Sequence, residues 1–317
     1  MGEPTEIRTA SADRAETARG AGSVPAPGVP PRRPDGSTRA AQSTGAALRS
    51  RVREQRRSPA RPRLWFELAL IGISYWVYSL VRNAVPEQAA SAMKHADWIW
   101  RFEQWLGIGI ERAVNHGVNS VTWLIVGMNY YYATLHFIIT IGVLVWLYRS
   151  HPGRYAAART VLFVTTAIAL VGFYFFPLAP PRLMGAGFVD TVLVHHTWGS
   201  LASGAGAHVS NQFAAMPSMH IGWSLWCGLA IYFLAKRMWV RVLGLLYPAC
   251  TLLVIISTAN HFWMDAVGGM LCLAVGFFTA RLVYHVWAYQ LPREPGGLPD
   301  APVTVPVQWT VEEPARR

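Results

Sequence analysis

Six long apolar runs, near residues 64–82, 121–147, 158–176, 219–235, 239–257 and 262–286, constrain this chain more than any other feature. Each is close to the roughly 20 residues with which a helix crosses a bilayer. The 317 residues are 52% hydrophobic and 14% charged, whereas a soluble domain carries about 25% charged residues. The expected fold is an all-α membrane protein, a bundle of six transmembrane helices. Arg-rich residues precede the first run and "EQAASA" follows it, as in a secretory signal. Its apolar core exceeds the usual ~7–15 residues, so an uncleaved span is expected. Pro248 falls within the fifth run and should bend that helix, which packed neighbours tolerate.

Charge orients the bundle. Residues 1–63 hold 13 Arg against 6 Asp or Glu, a net of +7, out of +11 for the whole chain. No aromatic residue accompanies that block before Trp65, so lipid attraction and topology explain it better than nucleic-acid binding. The connections 148–159 and 236–241 carry Arg149, Arg154 and Arg159, and Lys236, Arg237 and Arg241, with no acid. Both are placed on the cytoplasmic side with the two termini, in a multi-pass cell-membrane protein. Segments 83–120 and 177–218 and the turn near 258–262 then face outward.

Residues 1–60 and 291–317, rich in Pro, Gly, Ala and Arg, read as disordered tails around a membrane domain at 61–290. Within 94–106, Trp98, Ile99, Phe102, Trp105 and Leu106 recur at helical spacing. Lys94, Asp97, Arg101, Glu103 and Gln104 fall between them, which predicts an interfacial helix between the first and second spans. Cys227, Cys250 and Cys272 lie in apolar runs and read as small core residues, with no disulfide framework.

Three outward-facing stretches carry unusual residues: "FPLAPPRL" at 176–183, "AMPSMHIGW" at 215–223 and "TANHFWMDAVGG" at 258–269. His220 and His261 are separated by two spans and a turn, which return the chain to the same membrane face. Each opens an inward-running helix, where unpaired N–H groups and the positive dipole end attract phosphate. Ser218 is the expected N-cap of the first of these helices.

Asp265 stands one helical turn beyond His261. A carboxylate there fixes the tautomer of an imidazole and raises the nucleophilicity of its far nitrogen. His220 can then act as general acid and base. Arg182, stiffened by two preceding prolines, is the phosphate ligand, with Ser218 beside the anion. No metal or cofactor is expected, because too few carboxylates and no thiols converge there. Any one of these histidines could simply bridge two helices. The combination is harder to explain structurally, since ionisable groups in spans are costly. His136 lies one turn after Tyr132 in "MNYYYATLHF", with Asn129 and Tyr131 nearby; this stretch is a candidate for a polar pocket wall or for helix–helix bonding, and Asn260 is a further pocket candidate. Glu67 is expected to pair locally with Arg63.

"PSMH" and "HFWMD" resemble the second and third signatures of the type-2 phosphatidic acid phosphatase superfamily. The detail, with "FPLAPP" upstream and polar Asn260 directly before His261, resembles its inositol phosphorylceramide synthase branch, including inositolphosphotransferase-like members. The resemblance covers roughly 120–286. It implies a six-helix core with an outward-facing, metal-independent site, with His261 as nucleophile, Asp265 as its partner and His220 as acid–base. The first signature's lysine and the arginine that usually begins the third are absent from "FPLAPPRL" and "VIISTANH". Lys94, Arg101, Arg112, His195 and His196 are candidates to replace them.

The expected function is phosphoester cleavage on a lipid phosphate through phosphohistidine. Inositol or another alcohol is the acceptor in an inositolphosphotransferase-like enzyme; water is the acceptor in a plain phosphatidate or polyprenyl phosphate phosphatase. The alternative of another class is a non-catalytic six-helix carrier or scaffold. Carriers commonly show related halves or broken spans, and the sequence has no such repeat.

Overall fold

The computed structural model describes residues 63–84, 88–197 and 212–295. All lie in one unit, Arg49–Arg317; the other, Met1–Leu48, is wholly outside them. The expected tail 1–60, and the expected tail 291–317 beyond residue 295, also lie outside the described residues.

The described chain is helical, with one isolated bridge, Leu178 to Ala214, and no strand. Helix α1 spans Leu64–Ala84, α2 Ala89–Trp105 and α3 Glu111–Asn119. A long helix, α4, runs from Thr122 to Ser150 and contains a π turn at Tyr131–Leu135. Then follow α5 at Pro152–Phe175, the single turn α6 at Thr191–Val194, α7 at Met219–Leu234, α8 at Met238–Ser257 and α9 at Trp263–Tyr284. Of these, α4, α5, α8 and α9 are long and apolar enough to cross a membrane. Ile138 and Ile141 on α4, Val171 on α5 and Leu271 and Phe278 on α9 are exposed. A water-facing surface does not concentrate large aliphatic and aromatic groups in this way, and the chain is a membrane protein. The apolar stretch Leu64–Val77 of α1 and the 16 residues of α7 are shorter.

Close helix contact depends on small residues. A β-carbon at Gly269 of α9 would lie 2.3 Å from the Ser218 carbonyl at the head of α7. One at Gly228 of α7 would lie 2.5 Å from the Gly244 carbonyl of α8. Helix α8 passes through Pro248, whose ring faces Gly228.

Three expectations need correction. His151 alone separates α4 from α5, so Arg154 and Arg159 are helical rather than loop residues. Glu67 pairs with Arg159 of α5 and contacts Arg63 only through a backbone bond, because α1 packs on α5. Cys250 is exposed, while Cys227 and Cys272 are buried.

Candidate active site

Four segments meet where α7 and α9 begin. The His220 and His261 ring centroids are 5.4 Å apart at a 60° interplanar angle. The π turn of α4 brings in two further side chains: Tyr132 stacks on His220 at 4.2 Å, and His136 lies 4.3 Å from it. Such π turns are rare and recur at functional sites; helical periodicity alone gave no sign of this one.

His261 is held by its own local sequence. Helix α8 ends at Ser257, and buried Ala259 adopts a left-handed backbone, φ 49°. A non-glycine residue is strained there, and surrounding contacts must hold it. The Arg182 amide supplies one, donating to the Ala259 carbonyl at 2.9 Å. Asp265, fully buried at the third position of α9, accepts the Phe262 amide at 3.0 Å. The same Oδ2 accepts from His261 Nδ1 at 3.2 Å. A proton on Nδ1 leaves the lone pair on Nε2, which is buried with no hydrogen-bond partner among the described residues. An imidazole arranged in this way can act as a nucleophile.

Arg182 Nε donates to Asn260 Oδ1 at 3.0 Å, and Nη1 pairs with Asp190 at 3.1 Å. The guanidinium is thus fixed beside the residue preceding His261. Ser218 occupies the N-cap position of α7, but its side chain forms no capping bond. Its buried Oγ has no partner among the described residues. The cation candidates are engaged elsewhere or at the surface: Arg101 Nε donates to Asp97 O and Arg112 Nη1 to Ala186 O. His195 Nε2 donates to Asn119 Oδ1, His196 adopts a left-handed backbone, and Lys94 is exposed. Among the described residues, no group of three or more His, Cys, Asp or Glu side chains could hold a metal ion.

Several residues support the site through burial, and through long-range bonds that the sequence pattern does not mark. The buried stripe of α2 is Ala92, Ala96, Ile99 and Glu103, while Trp98 and Trp105 are exposed. The 4-3-4 spacing of these residues was a visible signal; the aromatic face beside it drew the assignment instead. Glu103 and Glu111 are both buried, and burial followed by the neighbouring Glu111 pushes the Glu103 carboxyl up to about 10. Asn115 bonds Val189 and Ser257, and Asn129 bonds Thr191 and Thr197, tying the Arg182-bearing loop to α3, α4 and α8.

A family model of the PAP2 superfamily matches residues 97–279, more than half of the chain, and the chain belongs to that superfamily. Its members are generally phosphatases, so the class indicated is a lipid phosphatase-type phosphoesterase. No curated protein and no solved structure matches the chain. The match begins at 97 rather than near 120 and so takes in Glu103 and Glu111.

Proposed function

We propose that this chain is a six-span membrane phosphatase/phosphotransferase that cleaves a lipid phosphoester at the outer leaflet through a phosphohistidine on His261. Helix α2 lies at the outer interface, and both termini are cytoplasmic. The observation that carries the reading is the 5.4 Å separation of the His220 and His261 rings, with Asp265 bonded behind the second.

His261 Nε2 attacks phosphorus, and the bond to the lipid oxygen breaks. His220 gives its proton to the departing oxygen. Asp265 stabilises the charge that grows on His261, as an orienting carboxylate does in other nucleophile–histidine systems. Arg182 and the Ser218 hydroxyl bind the phosphoryl oxygens. Water or an alcohol then attacks phosphorus, His220 takes its proton, and the bond to His261 breaks. No step requires a metal.

Polar Asn260 before His261 and the "FPLAPP" stretch favour an inositolphosphotransferase-like enzyme over a plain phosphatase. Mass spectrometry of the products from a labelled lipid phosphate, with chelator and with or without inositol, tests this. An inositol-phosphate product supports transfer; free phosphate alone, whatever acceptor is offered, reduces the reading to hydrolysis. Turnover that survives His261→Ala unchanged rejects the phosphohistidine reading.

A further inference from the structure

At the end of α7 remote from His220, α4, α7 and the connection to α8 line an open-sided cavity of about 470 Å³. That volume lies within the roughly 300–1,000 Å³ of ligand sites. Leu234, which lines the cavity, lies fourteen positions beyond His220 on α7, so the two sites are roughly 20 Å apart. Gly142, Trp146 and Ile231 form part of an apolar wall, and Lys236, Arg237 and Arg293 are the cations among the lining residues, none of which is acidic.

Each feature narrows the occupant. A β-carbon at Gly142 would meet nothing within 4 Å, so open space adjoins the backbone there. Arg293 is secured at the end of α4, its Nε donating to the Ser150 carbonyl at 2.8 Å. Lys236 and Arg237 are exposed, whereas nearby Arg241 is tied back to the Ala235 carbonyl. Ile138 on α4, one turn before Gly142 on the same helical face, is exposed and extends the apolar surface at the cavity. A free anion would gain little from the apolar wall, and a neutral amphiphile little from three cations with no acid among the lining residues.

We propose that this cavity binds one anionic membrane phospholipid. An acyl chain lies along Gly142 and Ile231, and the phosphate lies against Lys236, Arg237 and Arg293. The site is separate from the histidine pair and independent of the reaction proposed there.

Native mass spectrometry of the detergent-purified full chain, offered equal phosphatidylglycerol and phosphatidylcholine, tests the proposal. Wild type should retain phosphatidylglycerol at least about tenfold better, the scale expected from several juxtamembrane cations. The double variant Lys236→Glu/Arg237→Glu should lose that preference. Gly142→Trp, which fills the space and keeps every charge, should lose bound phosphatidylglycerol. Both variants should keep basal turnover. Equal retention of the two lipids by wild type overturns the proposal, as does undiminished phosphatidylglycerol on either folded variant. Displacement of the lipid by millimolar inorganic phosphate overturns it in favour of a free-anion site.

Discussion

Glu103 and Met264 are 161 residues apart, yet Glu103 Oε1 accepts the Met264 amide at 2.7 Å. This bond ties α2 to the first turn of α9, one residue from the carboxylate that holds His261. The remaining Glu103 oxygen and both Glu111 oxygens are buried without a donor among the described residues. A buried carboxyl group facing another is tolerable when it keeps its proton, as burial and the neighbouring Glu111 favour for Glu103.

The proton that Glu103 keeps makes stability depend on pH. The folded Glu103 value, about 10, lies above its ordinary 4.5. The native state therefore keeps a proton that the unfolded chain releases. This contribution is complete below about pH 4.5 and drains away as pH rises towards about 10. Glu103→Gln keeps an acceptor for Met264 and a donor for Glu111 but cannot titrate. Its Tm should therefore fall less than that of wild type between neutral pH and roughly pH 9, measured by intrinsic fluorescence in detergent. Equal slopes would show that Glu103 does not hold the proton.

Asp265→Asn preserves shape and removes the charge facing His261 Nδ1. The folded protein should remain, with turnover reduced on the order of 10³–10⁴-fold, the scale of an orienting carboxylate lost elsewhere. Single-turnover kinetics on a labelled lipid phosphate measure this. Wild-type turnover would remove Asp265 from the relay.

Arg182 spans Asn260 and Asp190 with one planar fork. A lysine carries its donors on one nitrogen and lacks the planar fork that reaches both partners. Arg182→Lys should lower kcat/KM by about 1.4–2.8 kcal/mol of transition-state binding, roughly 10–100-fold, on the scale of charged hydrogen bonds. Asp190→Asn, which leaves the guanidinium in place but less firmly held, should cost less. A larger loss in Asp190→Asn than in Arg182→Lys contradicts this order.

At Gly269 the approach to Ser218 leaves no room for a methyl group. Gly269→Ala must push α7 and α9 apart or bend one of them, at a cost of about 1–3 kcal/mol. A lower Tm with a matching loss of turnover is expected, because His220 and His261 open these two helices. An unchanged Tm would show that the interface yields freely.

Much of the site was legible because it follows from lengths. Two spans of about 20 residues return His261 to the level of His220. Asp265 meets His261 as the sequence expects, but not by helical stacking: α9 begins at Trp263, and the carboxylate at its third position reaches back past extended Phe262. Non-local partners were not legible. Nothing in the sequence near Glu67 names Arg159 as its partner, since that pairing arises only when α1 lies on α5. Glu103 looked like one charge among several on an interfacial face; its burial depends on α3 and α9 closing over it. The π turn at Tyr131–Leu135 shifts the register within α4, which a fixed helical period cannot represent.

The central claim is that a phosphoryl group rests on His261. Rapid-quench mixing of the purified protein with a lipid carrying radiolabelled phosphate, followed by alkaline peptide mapping, tests it most directly. The account requires an acid-labile, base-stable label on the peptide containing His261 in wild type and none in His261→Ala. Label on another residue, or full turnover in His261→Ala, would contradict it.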